Sequence, residues 1–119
     1  MLKFETKQIQ EEFKRIKPKL RSMLLMAAGW LDTYYHENLL ITCLFRDGGG
    51  VHPLGRGADT RVDRTTEKMR DELIDFILKH ATYGKEGHNI IFDERTKRSS
   101  GWTGPHLHWQ VRKETDLIL

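Results

Sequence analysis

Gly104-Pro105-His106-Leu107-His108-Trp109-Gln110-Val111 is the stretch whose reading decides the fold. From His106 to Arg112 polar and apolar side chains alternate, which is the period of a strand with one face buried. Successive Cβ atoms then point to opposite faces, so His106 and His108 share one face and Leu107 points into the core. Two neighbouring imidazoles on one sheet face suit two jobs: one can ligate a metal while the other acts on a substrate.

Working outward, Asn89 to Glu94 reads as a strand through Ile90, Ile91 and Phe92, and Thr96 to Gly104 as a polar loop. Upstream, Met69, Leu73, Phe76 and Ile77 give the buried face of a helix that Asp63 or Thr65 can cap. This helix is expected to run to about Tyr83 and stop at Gly84. Gly57 to Val62 forms a second short strand. Leu39 to Phe45 is an apolar run of strand length, followed by the flexible loop Asp47-Gly48-Gly49-Gly50.

The first third is helical in pattern. Ile9, Phe13, Ile16, Leu20, Leu24, Ala27, Leu31 and Tyr34 recur at steps of three and four, making one apolar stripe. Pro18 interrupts it and either kinks the helix or starts a second one, because it lacks an N–H and clashes with the preceding turn. The order of helices, strand, strand, helix, strand, strand predicts an α+β domain with a small, mainly antiparallel sheet and helices on one side. At 119 residues the chain fits one domain. Its amino-terminal helical part spans 1–36 and the site-bearing core spans 39–112.

Composition narrows the function classes. With 38% hydrophobic and 31% charged residues, the chain reads as a folded globular domain. Lysine and arginine exceed the acids by 20 to 17, a net charge of +3. That mild excess, with no basic stripe and no nucleic-acid motif, argues against a nucleic-acid partner. The single cysteine, Cys43, allows no internal disulfide, and its apolar neighbours make it a buried, inert thiol. Met1 to Pro18 is charged and lacks the apolar stretch of a signal peptide. The longest uncharged run, Ser22 to Leu31, is too short to span a bilayer. The expectation is a chain made in the cytoplasm without membrane insertion. Oligomeric state is not legible.

The second chemical motif is His52-Pro53-Leu54-Gly55-Arg56-Gly57-Ala58-Asp59. A histidine on a glycine-rich loop precedes by seven positions an aspartate at the start of a strand. Together with one imidazole of the His106–His108 pair, His52 and Asp59 would supply two nitrogens and one carboxylate oxygen. Three such ligands leave a fourth tetrahedral position open, which distinguishes a catalytic zinc site from a closed structural one. Trp102, in the polar loop before the last strand, is a candidate substrate contact; Trp109 reads as a core or rim aromatic. His36, His80 and His88 carry no assigned role.

The His52–Asp59 stretch resembles the His-x-x-Gly-x-Ala-x-Asp signature of D-Ala-D-Ala carboxypeptidases and related phage endolysins. The Gly104–Val111 stretch resembles the Gly-Pro-His-Leu-His-Phe-Glu-Val strand of lysostaphin-type endopeptidases. Both families belong to the zinc superfamily that also contains the Sonic hedgehog amino-terminal domain, and the penicillin-insensitive murein endopeptidases combine the two spacings. The resemblance covers about Ile41 to Arg112, with about twenty diagnostic positions, and excludes the amino-terminal helices.

The resemblance implies a hedgehog/DD-peptidase-like fold and one zinc ion per chain, held by His52, Asp59 and His108. It places His106 beside the metal as the catalytic histidine. Phe45-Arg46 fits the position of an arginine that holds a substrate carboxylate or the developing oxyanion. Gly50 replaces a serine of the carboxypeptidase pattern, Ala58 is shifted by one position, and no acid stands in Trp102-Thr103-Gly104-Pro105. The last departure favours His106 as the base and endopeptidase-like chemistry. The activity implied is zinc-dependent hydrolysis of a peptide bond in peptidoglycan stem peptides or cross-links, as in a phage lysis enzyme that reaches the wall through a separate export route or lysis pore. The rival from another class is a non-catalytic zinc-containing binding module for a cell-wall peptide or protein partner, since the hedgehog domain keeps the ligands without a demonstrated need for hydrolysis. An intact His106 argues against that rival.

Overall fold

The computed structural model describes residues 1–45, 55, 57–61, 66–83, 91–94, 106–111 and 117–118. Along the chain these form β1 (Leu2–Phe4), α1 (Lys7–Glu12), α2 (Pro18–Tyr35), β2 (Leu39–Cys43) and β3 (Gly57–Arg61). There follow α3 (Glu67–His80), β4 (Thr82–Tyr83), β5 (Ile91–Glu94), β6 (His106–Gln110) and β7 (Leu117–Ile118). Five strands make one sheet in the order β1-β2-β3-β6-β5, and β4 pairs with β7 in a second. In the larger sheet β1 runs parallel to β2 and every other neighbouring pair is antiparallel. The architecture is α+β, with a mainly antiparallel sheet.

Local chemistry sets the helix boundaries. Thr6 caps α1, its hydroxyl accepting from Ile9 N–H at 3.1 Å. Pro18 occupies the first turn of α2, where its missing N–H has no intrahelical partner to lose; it starts a second helix and does not kink one. At the far end His36 takes the left-handed conformation (φ 53°), and its N–H donates to Asp32 O at 3.2 Å. Glu37 N–H donates to Leu31 O at 3.4 Å, and these bonds satisfy terminal carbonyls and turn the chain toward β2.

Three expectations are corrected. The segment 1–36 is not helical throughout, because Leu2–Phe4 pairs with Leu39–Ile41 as an edge strand. Three residues are too few for any periodicity to be read. The third helix is capped by Thr66, whose hydroxyl accepts from Met69 N–H at 3.2 Å, and it ends at His80. Thr82 and Tyr83 leave it to pair with β7, a long-range contact that outweighs their place in the helical pattern. Finally, Tyr34 closes the sequence stripe but is 68% exposed, whereas Leu20, Leu24, Ala27 and Leu31 are fully buried.

One hydrophobic core joins the helices to the sheet. Leu20, Met23, Leu24 and Leu31 of α2 and Met69, Leu73 and Ile77 of α3 meet Leu39, Ile41, Ala58, Leu107 and Trp109 of the strands. Leu107 faces inward, as the alternation of β6 requires, and Trp109 shares its face and is fully buried. The other face of β6 carries His106, His108 and Gln110. Replacing Leu73 by alanine is expected to cost about 2–5 kcal/mol through the cavity it opens, and Thr66→Ala about 1 kcal/mol through the lost cap. Urea unfolding followed by circular dichroism checks both; an equal or inverted ranking would contradict this account of α3.

Candidate metal centre

Strand register builds the site. Pairing of β3 with β6 sets Asp59 directly opposite His108 and Thr60 opposite Leu107. Cross-strand partners in an antiparallel pair share a face, so Asp59 joins the two imidazoles on the side away from the helices. Pairing of β2 with β3 shifts between Ile41 and Cys43, so that Ile41 faces Thr60 and Cys43 faces Asp59. A bulge of this kind lets a strand re-aim its side chains beside a site. It also corrects the reading of Cys43, which is half-buried and stands in the Asp59–His108 row. On β5, Phe92 and Glu94 are the register partners of His108 and His106.

The distances are short. His108 Nδ1 lies 2.9 Å from Asp59 Oδ1, a hydrogen bond. His106 Nε2 lies 3.8 Å from the same oxygen. The side chains of Asp59, His106 and His108 are 9%, 11% and 16% exposed. A carboxylate so far removed from water needs partners, because burying an unpaired charge is strongly unfavourable. The two imidazoles beside it, with His108 at hydrogen-bond distance, supply them.

Two contacts, one buried and one half-buried, hold the arrangement. Trp109 Nε1–H donates to Thr60 Oγ1 at 2.8 Å within the core, linking β6 to β3 one residue from the site row. Thr42 Oγ1–H donates to the Asp59 carbonyl at 3.3 Å, linking β2 to β3 beside the bulge. Gly55, between His52 and Asp59 in sequence, adopts φ +68°, where glycine alone is unstrained. A Cβ there would meet the Phe45 ring at 3.2 Å. The Gly55 carbonyl accepts from Lys17 N–H at 2.8 Å, and Arg15 stacks its guanidinium over Phe45, 5.2 Å from the ring centroid. The turn between α1 and α2 therefore pins the chain just before β3.

Asp59, His106 and His108, three of the sequence-selected site residues, come together. His52, Arg46 and Trp102 lie outside the described residues. Among the described residues no three His, Cys, Asp or Glu side chains are arranged to hold a metal ion by themselves. The Asp59–His108 pair nonetheless has the right chemistry for part of a zinc site. Bonds of about 2.0–2.2 Å at the tetrahedral angle separate two ligand atoms by roughly 3.3–3.5 Å. The observed 2.9 Å is shorter than that and is a direct hydrogen bond between the two side chains. His36 and His80 stand elsewhere, the first ending α2 and the second packed on Phe76 with ring centroids 4.8 Å apart.

Compared with protein-family models, with curated proteins and with solved structures, the chain matches none.

Thr60→Val keeps the shape of the side chain but removes the acceptor for the Trp109 indole. Leaving a buried donor unsatisfied should cost roughly 1–3 kcal/mol. Denaturant unfolding of Thr60→Val beside the wild type measures this, and an unchanged midpoint would show that the bond does not hold the β3–β6 pair.

Proposed function

We propose that the chain is a zinc-dependent peptidase that hydrolyses a peptide bond in the stem peptides or cross-links of peptidoglycan. One observation carries this reading: a carboxylate and two imidazoles, drawn from two separate sequence motifs, converge on one sheet face. Asp59 Oδ1 lies 2.9 Å from His108 Nδ1 and 3.8 Å from His106 Nε2. Kinship with the hedgehog and D-Ala-D-Ala peptidase fold belongs to the same proposal and rests on the motifs His52–Asp59 and Gly104–Val111.

In this reading His52, Asp59 and His108 hold one zinc ion per chain. When bound, zinc supplies a Lewis acid that polarises the scissile carbonyl and acidifies water. The remaining chemistry falls to side chains. His106 takes a proton from the attacking water as its oxygen bonds to the carbonyl carbon, then delivers it to the leaving amine as the C–N bond breaks. The products are a carboxylate and an amine. Arg46 holds the negative charge that develops on the carbonyl oxygen or binds a substrate carboxylate. Trp102 contacts the substrate. The β3–β6 register sets Asp59 opposite His108 and so brings the two side chains to the same point of the sheet face.

The biological setting that suits this activity is a lysis enzyme of phage type that reaches the wall by a separate export route or pore. Among the described residues no helix is long and apolar enough to cross a membrane.

Digestion of purified peptidoglycan, with products read by mass spectrometry, tests the proposal. Wild type should release new peptide termini that disappear with a chelator and with Asp59→Ala. His106→Ala should slow release by about 10²–10⁴-fold, the usual contribution of a general base. Zinc-loaded wild type that releases nothing would overturn the peptidase and favour the non-catalytic binding module.

A further inference from the structure

The helix layer carries a groove that the proposed hydrolysis does not use. It is about 700 Å³ in volume and lies between α2 and α3. That is within the usual range for sites that hold small molecules or polymer segments. Trp30 is part of its lining. Around Trp30 stand Tyr34 and Tyr35, each with ring centroid 5.5 Å away, and Phe76, stacked at 5.7 Å with an interplanar angle of 20°. Tyr34 is 68% exposed. An aromatic ring held so far out of the core contributes little to folding.

The rest of the described lining is polar and includes the His80 imidazole, which packs on Phe76. Glu72 and Asp75 contribute two carboxylates, and Lys68 and Lys79 two ammonium groups. Lys68 reaches Glu72 at 3.8 Å, and the Tyr35 hydroxyl donates to the same carboxylate. That hydrogen bond raises the Tyr35 phenol above its ordinary range and keeps it protonated. Among the described residues the two carboxylates are matched by the two ammonium groups. The groove offers aromatic faces for C–H surfaces, with donors and acceptors at the edge for hydroxyl and amide groups. A neutral polyhydroxylated chain presents those two chemistries together.

We propose that this groove binds a glycan of N-acetylated hexosamine units. The choice of sugar rests on the peptidoglycan reading above. Because α2 and α3 cover the face of the sheet opposite Asp59, the groove grips the wall at a point other than the bond being cut. It acts as an anchor that raises the local concentration of substrate.

The test titrates the full chain with a tetramer of N-acetylglucosamine and follows heat by calorimetry. Wild type should bind, Tyr34→Ala should bind roughly tenfold more weakly, and Tyr34→Phe, which keeps the ring, should bind as wild type. Tyr34 is exposed, so its loss leaves the fold intact, which circular dichroism verifies. No heat from wild type, or equal affinity in wild type and Tyr34→Ala, would overturn the proposal. Cleavage of a soluble, sugar-free stem peptide is measured in parallel. Glycan binding without cleavage supports the groove and sinks the peptidase; cleavage without glycan binding sinks the groove alone.

Discussion

Inside the apolar core, Trp109 N–H donates to Thr60 Oγ1 across the β3–β6 pair, and the site depends on the register that this contact holds. Side chains alternate along a strand with period two, so a slip of one residue would send His106 and His108 into the core and Leu107 and Trp109 out of it. Trp109 resists that slip with a fully buried ring, the largest fully buried side chain among the described residues. In the native register Asp59 falls opposite His108. The chemistry on one face of β6 is thus fixed by packing on the other.

A buried carboxylate is an expense that a stable fold normally avoids. Here Asp59 lies beside two imidazoles and next to a bulge in β2, and the glycine turn before it is tied to the start of α2 through Lys17. Helices that take no part in the motifs therefore still position them. The same helices leave Tyr34 and Trp30 beside a groove with a polar rim, so both layers of the domain carry surfaces with chemistry to offer.

Much of this was legible because it follows from short-range periodicity. Alternation in His106–Gln110 identifies β6 and assigns Leu107 to the core; spacing of Met69, Leu73 and Ile77 identifies α3; and Pro18 marks a helix start. What escaped the sequence was long-range. Strand β1 is three residues that gain their structure only by pairing with β2. The exit of Thr82 and Tyr83 from α3 depends on β7, more than thirty residues later in the chain. The half-buried state of Cys43 depends on the bulge, which local apolarity does not encode. For the site, the two motifs named Asp59, His106 and His108, while their distances required the β3–β6 register. The aromatic groove was hidden because Tyr34 continues the helical stripe in spacing, and only the packing of α2 against α3 shows that it lies outside the core.

Zinc content per folded chain tests the central claim most directly. After reconstitution and removal of loose metal, wild type should retain one zinc ion, measured by mass spectrometry of the intact protein under native conditions. His52→Ala, Asp59→Ala and His108→Ala should each weaken retention by at least about tenfold, as expected when a ligand is lost. His106→Ala should retain the ion, since the proposal assigns that imidazole to the substrate and not to the metal. Retention unchanged by Asp59→Ala and His108→Ala, or no retention by wild type, would contradict the assignment of this face as a zinc site.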